Sequence, residues 1–274
     1  MTAEEFKKSC IELRQQDFTL GEIVKALGRP KTSVFFHIQH LPLSQERKRE
    51  IRDWHTEHIN QFNRLRKGRS KRPFREFSQW NEQNVALVAH LLFDGELRPA
   101  SCIYNNRNRA LIDRVKNTMM SVYDYKPSEC SQNGVIRISY HNVALAIYLG
   151  EKSRRLINEI DILPRELKRV FLRAFYDDEG CMYFSGKKRA VRGYQHDDRI
   201  LEIVQRLLKG FQINSTISRF YEVSISRREN LECFAKEINF SPGVRINGER
   251  SNSIWRRPLE KREILRRALA SYQQ

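Results

Sequence analysis

The chain has 274 residues, 40% of them hydrophobic, and a mean hydropathy of −0.65, so it can build one or two packed domains beneath a polar surface. No apolar run approaches the ~20 residues that span a bilayer and no signal-like segment opens the sequence, which excludes a membrane protein and reads as a soluble, cytoplasmic, nucleoid-associated one. Fifty Lys and Arg against 33 Asp and Glu give a net charge of +17, the balance of a chain that seeks a polyanion. The five cysteines (Cys10, Cys102, Cys130, Cys181, Cys233) form no CxxC pair, so neither a disulfide framework nor a zinc knuckle is indicated.

Residues 1–43 read as three short helices. Phe6, Cys10, Ile11 and Leu13 give the first, Glu4–Arg14, one apolar side. Thr19 with Glu22 three residues on makes a capping box for the second, in which Leu20, Ile23, Val24 and Leu27 recur at helical spacing. Gly28-Arg29-Pro30 stops that helix and starts a third, Lys31–Gln39. Val34, Phe35 and Ile38 are expected to face inward there, leaving Lys31, Thr32, Ser33 and His37 outside. The stretch TLGEIVKALGRPKTSVFFHIQ resembles a helix-turn-helix, whose last helix would enter a DNA major groove. The alternative is a three-helix scaffold that binds protein.

Residues 44–79 read as a basic helical linker with a thin apolar stripe (Ile51, Trp54, Ile59, Phe62, Leu65). The run RLRKGRSKRPFR from Arg64 has no acid, and Arg69, Lys71 and Arg72 are expected to lie along a phosphate backbone. The histidine pairs His37/His40 and His55/His58 lack a third ligand at metal spacing and read as surface or core residues.

From Trp80 one plan occurs twice. LVAHLLFDG at Leu87–Gly95 and LRAFYDDEG at Leu172–Gly180, about 85 residues apart, both run from an apolar helix to an acid and a glycine. The acids Asp94 and Glu179 fall at helix C-termini, where the helix dipole disfavours a carboxylate unless a cation offsets it. In the first copy the motif helix (Asn84–Phe93) leads to strands around Leu97–Tyr104, a helix at Arg107–Met120, strands near Val122–Tyr125 and Val135–Ser139, and a helix from Asn142. In the second, the motif helix (Glu166–Tyr176) leads to strands near Cys181–Ser185 and Ala190–Gln195. A helix at Asp198–Lys209, strands at Ile213–Ser218 and Tyr221–Ser226 and a helix at Asn230–Ile238 follow. Tyr104 and Tyr194 match as the ends of their hairpins, and VIRIS matches YEVSIS. The class is α+β, with αββαββα repeated over about 80–160 and 161–240 inside a domain of 80–274. A basic segment with Arg256 and Arg257 around Trp255 and a charged helix from Leu259, with Ile264, Leu265 and Leu269 inward, complete that domain.

With both motifs in view, the chain resembles the LAGLIDADG (dodecapeptide-type) homing endonucleases in their single-chain, two-motif form. The resemblance covers about two thirds of the chain. It sets Asp94 and Glu179 at the catalytic acid, Gly95 and Gly180 at the final glycine, and the small Ala89 and Ala174 at the third position. It implies a pseudo-two-fold pair of saddle-shaped antiparallel sheets on double-stranded DNA, with the motif helices meeting beneath. It further implies two or more Mg²⁺ ions shared by Asp94, Glu179, Gly95 and Gly180, activating water against one strand per repeat. Lys187, Lys188 and Arg227 are the basic residues assigned to assist catalysis, and the protein is expected to be monomeric. Side chains assigned to the DNA-facing sheets are Arg98, Arg137, Lys187, Arg189, Arg192, Arg219, Glu222 and Ser224, and Arg256 and Arg257 are added beyond them.

The seventh motif position, small in the family, holds Phe93 and Asp178, which puts close helix packing in question. A shifted register would replace Asp94 by Glu96 at the loss of the small third residue. Asp177 matches the family's sixth-position Asp, which supports the motif turn; Leu92 replaces it in the first copy. The leading expectation is site-specific, metal-dependent cleavage of DNA. A DNA-binding regulator that keeps the fold without cutting is the alternative, and an intein remnant is disfavoured because the chain opens without a Cys or Ser nucleophile.

Overall fold

The computed structural model describes residues 2–66, 74–247 and 257–272, without the side chains of 60–66. The expectations for Phe62, Leu65, Arg69, Lys71, Arg72, Trp255 and Arg256 therefore lie outside the described residues. The chain divides into two compact units, 1–71 and 72–274.

The first unit holds α1 (Ala3–Gln15), α2 (Leu20–Leu27), α3 (Lys31–Ile38) and α4 (Gln45–Arg66). Thr2 and Thr19 close reciprocal capping boxes with Glu5 and Glu22, each supplying a partner to helix-end N–H groups. Gly28 ends α2 at φ +60, a left-handed conformation that costs glycine nothing. Cys10, Ile23, Val34 and Ile38 form the buried centre of α1–α3. One expectation for α3 is corrected. Phe35 is 51% exposed, because positions 34 and 38 share the inner face while 35 points a quarter-turn away. His37 is half-buried, its ring edge-on to Phe6 of α1. The start of α4 is tied to the preceding helices: Ser44 N donates to Asp17 Oδ1 at 2.8 Å, and Arg47 pairs with Glu22 at 2.7 Å.

The second unit repeats one αββαββα order. The first copy is α5 (Glu82–Phe93), β1 (Gly95–Arg98), β2 (Ser101–Asn106), α6 (Arg109–Tyr123), β3 (Ser128–Gln132), β4 (Val135–Tyr140) and α7 (Val143–Glu159). After a 3₁₀ turn come α8 (Arg165–Asp178), β5 (Gly180–Ser185), β6 (Lys188–Tyr194), α9 (Asp198–Gly210), β7 (Thr216–Ser218), β8 (Glu222–Ile225) and α10 (Arg228–Glu237), then α11 (Lys261–Ala270). Both sheets are antiparallel, ordered β1-β2-β4-β3 and β5-β6-β8-β7. The expected strand at Val122–Tyr125 is corrected. The apolar spacing of Leu111, Val115, Met119 and Tyr123 carries α6 to Tyr123, Asp124 caps it in the left-handed region, and the strand starts at Ser128. Ile213 likewise is a buried core residue before β7 rather than part of it.

Strand alternation sorts the sheets into two faces. Leu97, Tyr104, Ile138 and Tyr140 in the first copy, and Met182, Val191, Val223 and Ile225 in the second, pack on the helices. The opposite, open faces carry Arg98, Asn105, Arg137 and Ser139, and Tyr183, Lys188, Arg192, Tyr194, Glu222 and Ser224. The helices α5 and α8 pack on each other, with Phe93 edge-on to Phe171 and Phe175 at 5.3 Å. Phe93 thus joins the contact between the motif helices instead of prising it open, and Ala89 and Ala174 are buried.

Candidate functional site

Each motif helix ends on its acid. Asp94 and Glu179 are the C-cap residues of α5 and α8, and the chain turns at once into a strand. That turn admits only glycine: a Cβ on Gly95 would run into the Leu91 carbonyl, and one on Gly180 into Tyr176. The two acids are brought within electrostatic reach of one another. Burial, then the Asp178 carboxylate, pushes Asp94 up to about 7. Burial, then the Asp94 charge, pushes Glu179 up to about 8. Neither makes an ion pair among the described residues. Asp94 Oδ2 accepts a hydrogen bond from Asn106 Nδ2 at 2.6 Å.

The rival acid Glu96 sits elsewhere. It lies exposed on the open face of β1, paired with Arg98 at 2.7 Å and Arg137 at 3.8 Å, and hydrogen bonding to Arg98 holds it below the usual carboxylate range. Asp94 is therefore the acid that meets the second motif.

The seventh-position Asp178 is buried at the helix pair. His90 Nδ1 of α5 donates to it at 2.8 Å and the Tyr104 hydroxyl at 2.7 Å. Burial opposes a charge on His90, but the charge and hydrogen bond of Asp178, together with the Asp177 charge, raise the imidazole above its ordinary range. Asp177 is also buried, accepting from Ser241 N at 2.8 Å and Arg114 at 3.2 Å, a support of the motif end. Lys261 of α11 is buried with its Nζ donating to the Tyr176 and Asp177 carbonyls at 3.1 and 2.6 Å, offsetting the negative end of α8. Burial lowers its pKa against the pull of Asp177. Nothing local in the sequence distinguishes this lysine from its neighbours, because its partners lie in α8, far earlier in the chain.

A cleft of about 1200 Å³ opens beside these groups, lined by Asp94, Asp178 and Lys261 together with Arg107, Arg192 and Arg245. Arg192 is the cross-strand partner of Cys181, two residues past Glu179, with its guanidinium 4.3 Å from the Tyr183 ring centre. The basic residues assigned to assist catalysis are not so placed. Lys187 and Lys188 sit at the far end of the β5–β6 hairpin, Lys188 opposite Ser185, five residues or ~16 Å along the strand from Gly180. Arg227 precedes α10 and is exposed. Arg189 is corrected as a DNA-facing residue: alternation turns it to the closed face, where it bonds Ser271 Oγ at 2.7 Å and lies 4.4 Å from the Tyr272 ring centre. Arg219 lies in the turn between β7 and β8, while Arg98, Arg137 and Arg192 keep the open faces. Lys31 and Thr32 are exposed at the start of α3, and Arg257 is exposed before α11.

The pairing of Tyr104 with Tyr194 is also corrected. Tyr104 faces Gly95, but the residue facing Gly180 is Gly193, so Tyr194 matches Asn105. A Cβ at Gly193 would strike the Phe175 ring, which occupies that space in the second copy.

Fold and site together define a duplicated α+β protein with two helix-terminal acids converging beneath paired antiparallel sheets. Residues 166–239, its second copy, match the family model described as a LAGLIDADG-like domain. The uncharacterized protein MJ0398 of Methanocaldococcus jannaschii is 25% identical over 159 residues, 49% of this chain. The chain spans about half the length of this curated relative, 55% of it. Mesophilic variants of the homing endonuclease I-DmoI align at 17% identity and a TM-score of 0.49 over 59% of this chain and 92% of theirs. Full-length DUF199/WhiA from Thermatoga maritima aligns at 13% identity and 0.45 over 72% of this chain and 63% of its own. I-DmoI has been solved in complex with DNA and Ca or Mn. No helix among the described residues is long and apolar enough to cross a membrane.

Proposed function

We propose that the protein binds double-stranded DNA and cuts both strands at a specific site, with Asp94 and Glu179 as the metal-holding acids. The observation that carries this reading is the convergence of two desolvated carboxylates, neither ion-paired among the described residues, at the ends of paired helices. Such a pair is poor for stability and suits a hard cation with oxygen ligands. Among the described residues no group of three or more His, Cys, Asp and Glu is arranged as a metal site, so the remaining ligands would come from backbone, water or substrate phosphate. A divalent ion held there supplies charge neutralisation at the scissile phosphate. The chain's own contribution is position: α5 and α8 fix the acids, Gly95 and Gly180 allow the close turn, and Arg192 offers a cation to the phosphate from the cleft wall. The open-face Arg98, Arg137 and Arg192 and the net charge of +17 fit a phosphate backbone, and Lys31, Thr32 and Ser33 of the helix-turn-helix-like unit would extend the contact.

A second reading, a DNA-binding regulator that does not cut, is favoured by Lys261, whose buried ammonium already acts on both acids as a resident cation. Incubation with Mg²⁺ and a randomised duplex library, followed by sequencing of broken ends, separates the two. Specific double-strand breaks lost in Asp94→Asn and Glu179→Gln are expected. Sequence-specific binding that leaves every duplex intact would move the assignment to the regulator.

A further inference from the structure

The two acids are held differently. In the first copy a hydrogen-bonded series runs from His90 through Asp178 and the Tyr104 hydroxyl to Asn106 and Asp94. Its links are 2.8 Å, 2.7 Å, a looser 3.4 Å between Tyr104 and Asn106, and 2.6 Å to the Asp94 carboxylate. The His90 and Asp178 side chains are 3% and 0% exposed, so packing fixes the inner end of the series, while its outer end, Asn106 and Asp94, lines the cleft. Asn106 cannot flip without loss, because its Oδ1 accepts the Asn108 N–H at 2.8 Å while its Nδ2 serves Asp94. The key member, Asp178, comes from the second motif helix and acts on the first acid.

Glu179 has nothing comparable. The position matching Tyr104 is Gly193, with the Phe175 ring in its space. The position matching Asn106 is Gln195, whose Oε1 faces the Asp197 N–H at 3.4 Å. No side-chain hydrogen bond reaches the Glu179 carboxylate among the described residues.

We propose that Asp178, acting through Tyr104 and Asn106, positions the Asp94 carboxylate, and that the two halves of the centre are consequently unequal, the Asp94 half being preorganised and the Glu179 half not. This rests on the reading that both acids hold a divalent ion over DNA. Groups that orient a metal ligand typically change metal affinity or activity by about 10–100-fold when removed.

The test uses the full chain and a duplex recovered from the library, each strand carrying its own end label. Strand-resolved cutting is followed against Mg²⁺ concentration, Mn²⁺ binding to the protein–duplex complex by electron paramagnetic resonance, and duplex affinity in EDTA. The wild type is expected to cut one strand at lower Mg²⁺ than the other. Asn106→Ala should raise the Mg²⁺ requirement of that strand about tenfold and weaken Mn²⁺ binding, leaving the other strand and the EDTA affinity within about twofold. Tyr104→Phe, which removes one hydroxyl and keeps the ring, should move the same strand in the same direction and serves if Asn106→Ala does not fold. Equal Mg²⁺ dependence of both wild-type strands, or variants that weaken both strands alike, would overturn the inference while leaving the nuclease reading intact. A wild type that cuts neither strand and binds no Mn²⁺ on DNA would remove the reading and the inference together.

Discussion

At the residue scale the centre is governed by what burial does to charge. Ordinary Asp and Glu side chains titrate near 4, whereas Asp94 and Glu179 sit at about 7 and about 8, with burial as the first cause. The folded chain therefore binds these protons more tightly than the unfolded chain. Their contribution to stability is complete below about pH 4 and is lost as pH rises through 7 to 8. Without metal, Asp94→Asn and Glu179→Gln should come nearest the wild type at or below about pH 4 and melt about 2–6 °C above it at pH 8. Calorimetry in EDTA at the two pH values checks this; variants melting below the wild type at pH 8 would contradict the burial argument. The glycines beside the acids give a second prediction. Gly95→Ala and Gly180→Ala must displace helix backbone, so each should cost about 1–3 kcal/mol in urea titration. Neither constraint is visible from a lone Asp-Gly or Glu-Gly pair; both follow from the turn between α5 and β1 and between α8 and β5.

At the scale of elements, α11 acts as a clamp on α8. Lys261 places its ammonium on two carbonyls at the α8 C-terminus, and the ring of Phe240 lies 5.6 Å away. Lys261→Met keeps much of the stem and removes the charge, leaving those carbonyls unmet. A loss of about 2–4 kcal/mol is expected by chemical denaturation, larger than for the exposed Arg266→Met. In the first unit, Thr19→Ala removes the hydroxyl that accepts the Glu22 N–H, the side-chain half of the α2 capping box, and should cost about 1 kcal/mol. Helix existence and caps were legible in the sequence because periodicity and capping are local. The strand at Ser128–Gln132 was not, because every residue in it is exposed and no alternation marks it; Val122 and Tyr123, apolar and β-prone, belong to the packed end of α6 instead.

At the scale of the whole molecule, charge sets the behaviour. A chain of net charge +17 that meets 6–10 phosphates should lose roughly 10³–10⁵ in duplex affinity between 50 and 200 mM salt. Fluorescence anisotropy across that range checks it, and a shallow salt slope would argue against the open sheet faces as the DNA surface.

The sequence by itself determined the duplication, the paired acid-glycine helix ends, the caps and the basic balance, all of which depend on residue type and spacing within one segment. Tertiary structure alone decided which face Arg189 takes, that Lys187 and Lys188 stand a hairpin's length from the acids, and that Gly193 rather than Tyr194 answers Tyr104. It alone brought Lys261 to α8 and Asp178 to His90 and Tyr104. Those relations hang on strand register and on contacts between segments remote in the chain. A one-residue shift in register sends a side chain to the other face of the sheet, and a buried ion partner leaves no trace in local pattern.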